Sequence, residues 1–354
     1  HSFWPELSPP LHIDRCGNIS LDYSIVHSSL GKGITVERSD AVSFETSKFY
    51  GKRIPITFRD CRDTYLGDSW IHFNIKSDRG VVLDDCIGTE INDTIFTGTG
   101  IASPTDYIHL NMKNNTEGTW VHNSHFLESH MLNQDIEGIK IEGPSNNSMI
   151  EDCRFHYLES GLELFDDPLY PHHAEGFTVK ECEFEGDALG LSVSLIGNLT
   201  VQGCQFKDCD DSLGIFMGDL NVMENEFRNF DMGVVQMGGN SIFTDNRMVN
   251  GSSGYSSVSF LEMASVITHN NTLMELERGY QFQSCDFELN SDHVNSSVLA
   301  MKCRDTDGSL VNNSVLDSAV PILIESTVVG DRVSVELRNC TGDYENSNVS
   351  LPHC

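Results

Sequence analysis

Four segments decide the fold: Ile150-Glu151-Asp152-Cys153-Arg154-Phe155, Val179-Lys180-Glu181-Cys182-Glu183-Phe184, Val201-Gln202-Gly203-Cys204-Gln205-Phe206 and Val222-Met223-Glu224-Asn225-Glu226-Phe227. Each is an alternating strand ending in Cys or Asn, then one residue, then Phe. The anchors recur after 29, 22 and 21 residues. Weaker copies follow at Asn246-Arg247-Met248, Asn271-Thr272-Leu273 and Asn313-Ser314-Val315, and looser ones precede at Tyr23-Ser24-Ile25, Ser47-Lys48-Phe49, Thr94-Ile95-Phe96 and Ser124-His125-Phe126. A second signal joins Gly to an aliphatic residue at Gly33-Ile34, Gly100-Ile101, Gly138-Ile139, Gly161-Leu162, Gly190-Leu191, Gly214-Ile215 and Gly233-Val234.

A unit of about 21–30 residues with short alternating strands and no helical period cannot bury its apolar face alone. It must stack on copies of itself. If successive units coil with one hand, each strand pairs in parallel with its equivalent ~4.8 Å away, and like residues form ladders. Phe155, Phe184, Phe206 and Phe227 would make one ladder, and Cys153, Cys182, Cys204 and Asn225 another. The expected fold is therefore all-β: a single β-solenoid over residues 18–340, with 1–17 as an N-terminal cap or assembly segment and 341–354 as a C-terminal cap or tail. A β-sandwich, the other all-β option, predicts no such ladders.

The pattern resembles the right-handed parallel β-helix, the fold shared by pectate lyases, polygalacturonases, alginate epimerases, phage tailspikes and NosD-like surface proteins. That resemblance implies the fold and leaves function open, because the repeats are packing signals.

Composition narrows the partners. With 53 acidic against 22 basic residues, the formal charge of −31 excludes charge-driven binding to nucleic acid or an anionic membrane. No run approaches the ~20 apolar residues of a membrane span. The chain starts at His1 rather than Met, so removal of a signal peptide and an extracellular or cell-surface location are expected. Eleven glycosylation sequons agree with export: Asn18, Asn92, Asn114, Asn146, Asn198, Asn250, Asn270, Asn295, Asn312, Asn339 and Asn348. The eleven Cys are an odd number, which makes Cys16 and Cys354, near the two ends, the candidates for an intermolecular disulfide. No Cys-x-x-Cys pair supports zinc, and a copper site on the free amine of His1 would need a second His that the sequence does not single out.

Two constellations have catalytic residue types. Asp210-Asp211 followed by Gly214-Ile215 resembles the paired aspartates of polygalacturonases, in which two carboxylates flank a glycosidic bond. The family's later Gly-His-Gly and Arg-Ile-Lys elements are missing. An acid also precedes Gly in several repeats, at Glu159, Asp187, Asp211 and Asp231, so a structural turn column, with calcium as its candidate ion, accounts for Asp211. The other constellation is the insertion holding Asp166, Asp167, Tyr170, His172 and His173, similar in composition to the Asp-Pro-His element of alginate epimerases but different in order.

With no complete catalytic motif, none of these residues is favoured as catalytic and no cofactor is required. The preferred expectation is an exported, glycosylated structural protein of an envelope, sheath, surface layer or filament. It would self-assemble through its open strand edges. The alternative is a polysaccharide lyase, hydrolase or C5-epimerase acting on uronan-type glycans. Binding of a glycan without turnover would need aromatics such as Trp4, Trp70 and Trp120 aligned on one face.

Overall fold

A computed structural model of the chain describes residues 11–28, 33–51, 56–74, 79–99, 107–114, 116–128, 136–143, 145–165, 176–194, 197–259, 264–311, 313–316, 318–325, 335–338, 341–342 and 348–350. The chain divides into two compact units, residues 1–196 and 197–354, and each is a parallel β-solenoid.

In the first unit every coil gives one strand to each of three parallel tracks. One track starts with Leu11–Asp14 on Ile34–Glu37 and ends with Ser160–Phe165 on Leu189–Ser194. Another runs from Gly17–Asp22 to Thr178–Lys180, and the third from Ile25–Ser28 to Glu183–Glu185. Partners in register lie 22 residues apart at Ile34 and Ile56 and 30 apart at Phe96 and Phe126. In the second unit, spacings run from 21 at Leu199 and Leu220 to 27 at Leu310 and Leu337, and two strands of a coil often fuse into one of twelve residues, as in Glu226–Met237. Pairing includes Leu11–Asp14 and reaches Asn348–Ser350, opposite Val320–Glu325. Paired strands thus lie beyond the 18–340 limits drawn from the repeats, in coils that lack the Cys-x-Phe signature.

The corners explain that signature. Asp68, Asp93, Asn123 and Asp152 hold φ between 47° and 51°, the left-handed region that Asn and Asp tolerate best among non-glycine residues. The next residue, Ser69, Thr94, Ser124 or Cys153, turns inward and is buried. Its side chain serves the coil before it: the Ser47 N–H donates to Ser69 Oγ at 3.2 Å and the Thr94 N–H to Ser124 Oγ at 3.2 Å. In the second unit Asn takes over, with the N–H of Cys204, Asn225 and Asn246 donating to Oδ1 of Asn225, Asn246 and Asn271 at 2.8, 2.9 and 2.9 Å. The Cys and Asn anchors are therefore corner residues that pair backbone groups which would otherwise be buried unmet.

Two residues beyond the corner the expected Phe ladders appear. Phe96, Phe126, Phe155 and Phe184 stack in the first unit at 4.6, 4.9 and 4.7 Å between ring centroids. Phe206 and Phe227 stack at 4.8 Å in the second. The Gly-aliphatic pattern marks a register column in each unit, with Gly214 as the exception among its described glycines. Gly138, Gly161 and Gly190 share one register position, where a Cβ on Gly138 would lie 2.4 Å from the Gly161 carbonyl oxygen. In the second unit Gly233 stands opposite Ser212, whereas Gly214 stands opposite Val235. His109 occupies the same column, opposite Gly138; it is buried, and burial pushes its imidazole down to about 3. Among the nine described cysteines, from Cys16 to Cys303, Cys16 is exposed and the other eight are buried. Cys340 and Cys354 lie outside the described residues.

Candidate functional site

The outer surface of the second unit carries three adjacent columns of side chains that run across the coils. The first is Asp208, Asn229, Asn250 and Glu275, all at left-handed corners with φ of 55–60°. Its amides link successive coils: Asn229 Nδ2 donates to Asp208 Oδ1 at 2.8 Å and Asn250 Nδ2 to Asn229 Oδ1 at 2.7 Å. The second column is Asp210, Asp231, Ser252 and Glu277, and the third is Asp211, Met232, Ser253 and Arg278. Backbone bonds fix the offset between the last two, since the N–H groups of Asp231 and Met232 both donate to the Asp210 carbonyl, at 3.0 and 2.9 Å.

Asn229, Asp231, Asn250, Gly251, Ser252, Glu275 and Glu277 line an open polar groove of about 420 Å³ above Phe230. Glycine is required at 251, because a Cβ there would sit 2.2 Å from the buried Phe230 ring. Asp211 is half-buried on the coil before the groove, diagonal to the lining residue Asp231. Burial first, and then the charges of Asp231 and Asp210, push its carboxyl above the usual range. A carboxyl whose hold on its proton is strengthened by burial and neighbouring carboxylates shifts toward the character of a general acid. Register sets Asp210 opposite Asp231 on the next coil, ~4.8 Å away along the backbone, whereas Asp211 stands opposite Met232.

The other expected site residues are distributed differently. Glu159, Asp187, Asp211 and Asp231 do not form one turn column. Asp231 shares its position with Asp210 rather than Asp211, and in the first unit Glu159 faces Ala188 while Asp187 faces Leu158. The acid-before-glycine spacing slips by one residue between coils, so it does not report register. Asp187 is 1% exposed, accepts the Leu158 N–H at 2.8 Å, and is pushed well above the carboxylate range by burial. It acts as an inward corner residue, like the serines of earlier coils. Asp166, Asp167, Tyr170, His172 and His173 lie outside the described residues, as do Trp4 and His1. Trp70 and Trp120 belong to different tracks, so they make no single aromatic face. Of the sequon asparagines, Asn18, Asn114, Asn198, Asn250 and Asn270 are exposed and Asn312 and Asn339 lie outside the described residues.

Among the described residues no helix is long and apolar enough to cross a membrane. Residues 10–211 match the family model described as "Right handed beta helix region". No curated protein matches the sequence. Among solved structures, the catalytic unit of the thermostable GH87 alpha-1,3-glucanase from Streptomyces thermodiastaticus superposes with a TM-score of 0.55 at 13% identity, covering 92% of this chain and 65% of the glucanase unit. The periplasmic alginate epimerase AlgG gives a TM-score of 0.54 at 11% identity, covering 89% of this chain and 77% of the epimerase. At these identities the likeness is one of fold.

Proposed function

Since the chain belongs to the right-handed β-helix family, whose stacked interior serves packing and leaves chemistry to outward side chains, we propose that it is an exported glycan-cleaving protein with Asp211 as proton donor. The observation that carries this reading is the raised carboxyl of Asp211 beside Asp210 and Asp231, the last of which lines a polar groove. Asp210 or Asp231 would supply the second carboxylate. The glucanase and epimerase likenesses support glycan chemistry on this scaffold. Charge favours a neutral glycan over a uronan: Asp231, Glu275 and Glu277 in the groove's lining, with Asp208, Asp210 and Asp211 on the coil before it, would repel a polyanion, and in the three columns only Arg278 opposes them.

The test is product analysis by chromatography on neutral α- and β-glucans, with alginate and pectate alongside. Cleavage of a neutral glucan that falls at least about 100-fold in Asp211→Asn, with unchanged circular dichroism, is expected. Because the proton donor must be protonated, the rate should fall as pH rises through the raised Asp211 value. No turnover on any neutral glucan, or an Asp211→Asn variant as active as the parent, overturns the proposal.

A second reading, self-assembly, is favoured by the first coil. Among the described residues, Leu11–Asp14, Gly17–Asp22 and Ile25–Ser28 each pair on one side only. They present Tyr23 and Ile25, 84% and 74% exposed, together with the exposed Cys16 thiol. Such an edge suits a second copy of the chain.

A further inference from the structure

Three outward side chains of the first unit meet where no sequence motif joins them. His156 ends the strand Arg154–His156, and Glu183 and Glu185 flank the inward Phe184 on the strand Glu183–Glu185. Parallel register sets His156 opposite Glu185 and Arg154 opposite Glu183. Alternation then puts both glutamates on the face that His156 occupies. One potential ligand atom from each of the three lies within 4.8 Å of the others. His156 Nε2 is shut off from solvent and has no hydrogen-bond partner. The Glu183 Oε2 atom stands 4.0 Å from it, beyond the ~2.7–3.2 Å of an N–H···O bond. Two donors sharing one tetrahedral ion at ~2.0–2.2 Å each would stand ~3.4 Å apart, which a small side-chain rotation reaches.

We propose that His156, Glu183 and Glu185 bind a divalent ion of the zinc class. An imidazole nitrogen with two carboxylates suits zinc, cobalt or nickel, whereas calcium takes six to eight oxygens and finds too few here. Three protein ligands leave a coordination position for water or a glycan hydroxyl. The ion would take the place of Arg154, whose Nε lies 3.5 Å from Glu183 Oε2 and which now supplies the cation beside that carboxylate.

The experiment is titration of the full-length chain with Zn2+ by calorimetry and with Co2+ by absorption, in the presence of Ca2+ as competitor. One Zn2+ per chain is expected, with no thiolate charge-transfer bands from Co2+ and no displacement by Ca2+. His156→Ala, Glu183→Gln and Glu185→Gln should each weaken binding by at least about tenfold, while Arg154→Gln should tighten it. All four side chains face outward, so melting curves should stay near the parent's. Should His156→Ala fail to fold, the glutamine variants and Arg154→Gln decide by the same criteria. A chain that takes up neither Zn2+ nor Co2+, a Co2+ spectrum of thiolate ligation, or binding unchanged in the glutamine variants overturns the proposal.

Discussion

At the scale of single residues, one corner of the second unit departs from its column. Asn225, Asn246, Asn271 and Asn313 each use Oδ1 to accept a backbone N–H from the preceding coil and Nδ2 to donate to a carbonyl, of Val201, Val222, Phe243 and Leu289 respectively. Asp292 stands between Asn271 and Asn313 and lacks that amide donor. The apolar column facing it changes too: Val222, Phe243, Thr268 and Leu289 are in register, and the Thr268 hydroxyl donates to Asp292 Oδ2. The exchange leaves a buried carboxyl, which burial pushes up from 3.8 to about 6. Because the folded value is raised, the corner's full contribution holds below pH 4 and is lost as pH rises through 6. At neutral pH an ionised carboxylate then costs on the order of 2–3 kcal/mol. Asp292→Asn restores the column, with Thr268 Oγ1 as acceptor. It should raise the melting temperature at pH 7 and leave it nearly unchanged at pH 4. A variant that melts lower at pH 7 would show that the Thr268 pairing outweighs the charge.

At the scale of elements, a coil's stability resides in contacts with its two neighbours. Phe155 stacks on both Phe126 and Phe184, so Phe155→Ala removes two ring contacts and opens a cavity. Urea denaturation should show a loss of about 3–5 kcal/mol, and hydrogen exchange should rise first in the coils at 120–190. A loss below 1 kcal/mol would mean that the ladder adds little to stability. This column was legible in the sequence because Cys-x-Phe survives in three coils and Asn-x-Phe in a fourth. Farther upstream it faded where Ile71 replaces Phe between Phe49 and Phe96. The corner rule was hidden because Ser, Thr, Cys, Asn and Asp all fill one inward position, and its neighbour wants only a left-handed backbone. Those corners also put Asn or Asp near Ser or Thr for structural reasons. In the sequon at Asn92, Thr94 is the buried corner residue, and in that at Asn270, Asn271 is the ladder amide. The Asp208 to Glu277 groove was half visible, since Asp210 and Asp211 stood out while Glu275 and Glu277 looked like ordinary polar positions. The His156 site was not visible at all. Its members lie 27 and 29 residues apart, and only register brings them together.

At the scale of the whole molecule, charge sets the conditions for any association between copies. Each chain carries a formal −31, so two copies meeting at a coil edge repel before strand pairing or the Tyr23 and Ile25 side chains contribute. Screening shortens that repulsion from a range of ~30 Å at 0.01 M salt to ~8 Å at 0.15 M and ~3 Å at 1 M. Edge pairing and apolar burial, by contrast, do not weaken as salt rises. Assembly through the first coil should therefore be absent at 0.01 M salt and grow steadily toward 1 M, as read by light scattering in the presence of reductant. Oxidation should then trap the copies through Cys16, and Tyr23→Asp with Ile25→Asp should abolish both effects. Association that ignores salt, or that persists in the double variant, would rule out the first coil as the interface and leave the polar groove of the second unit as the proposed functional surface.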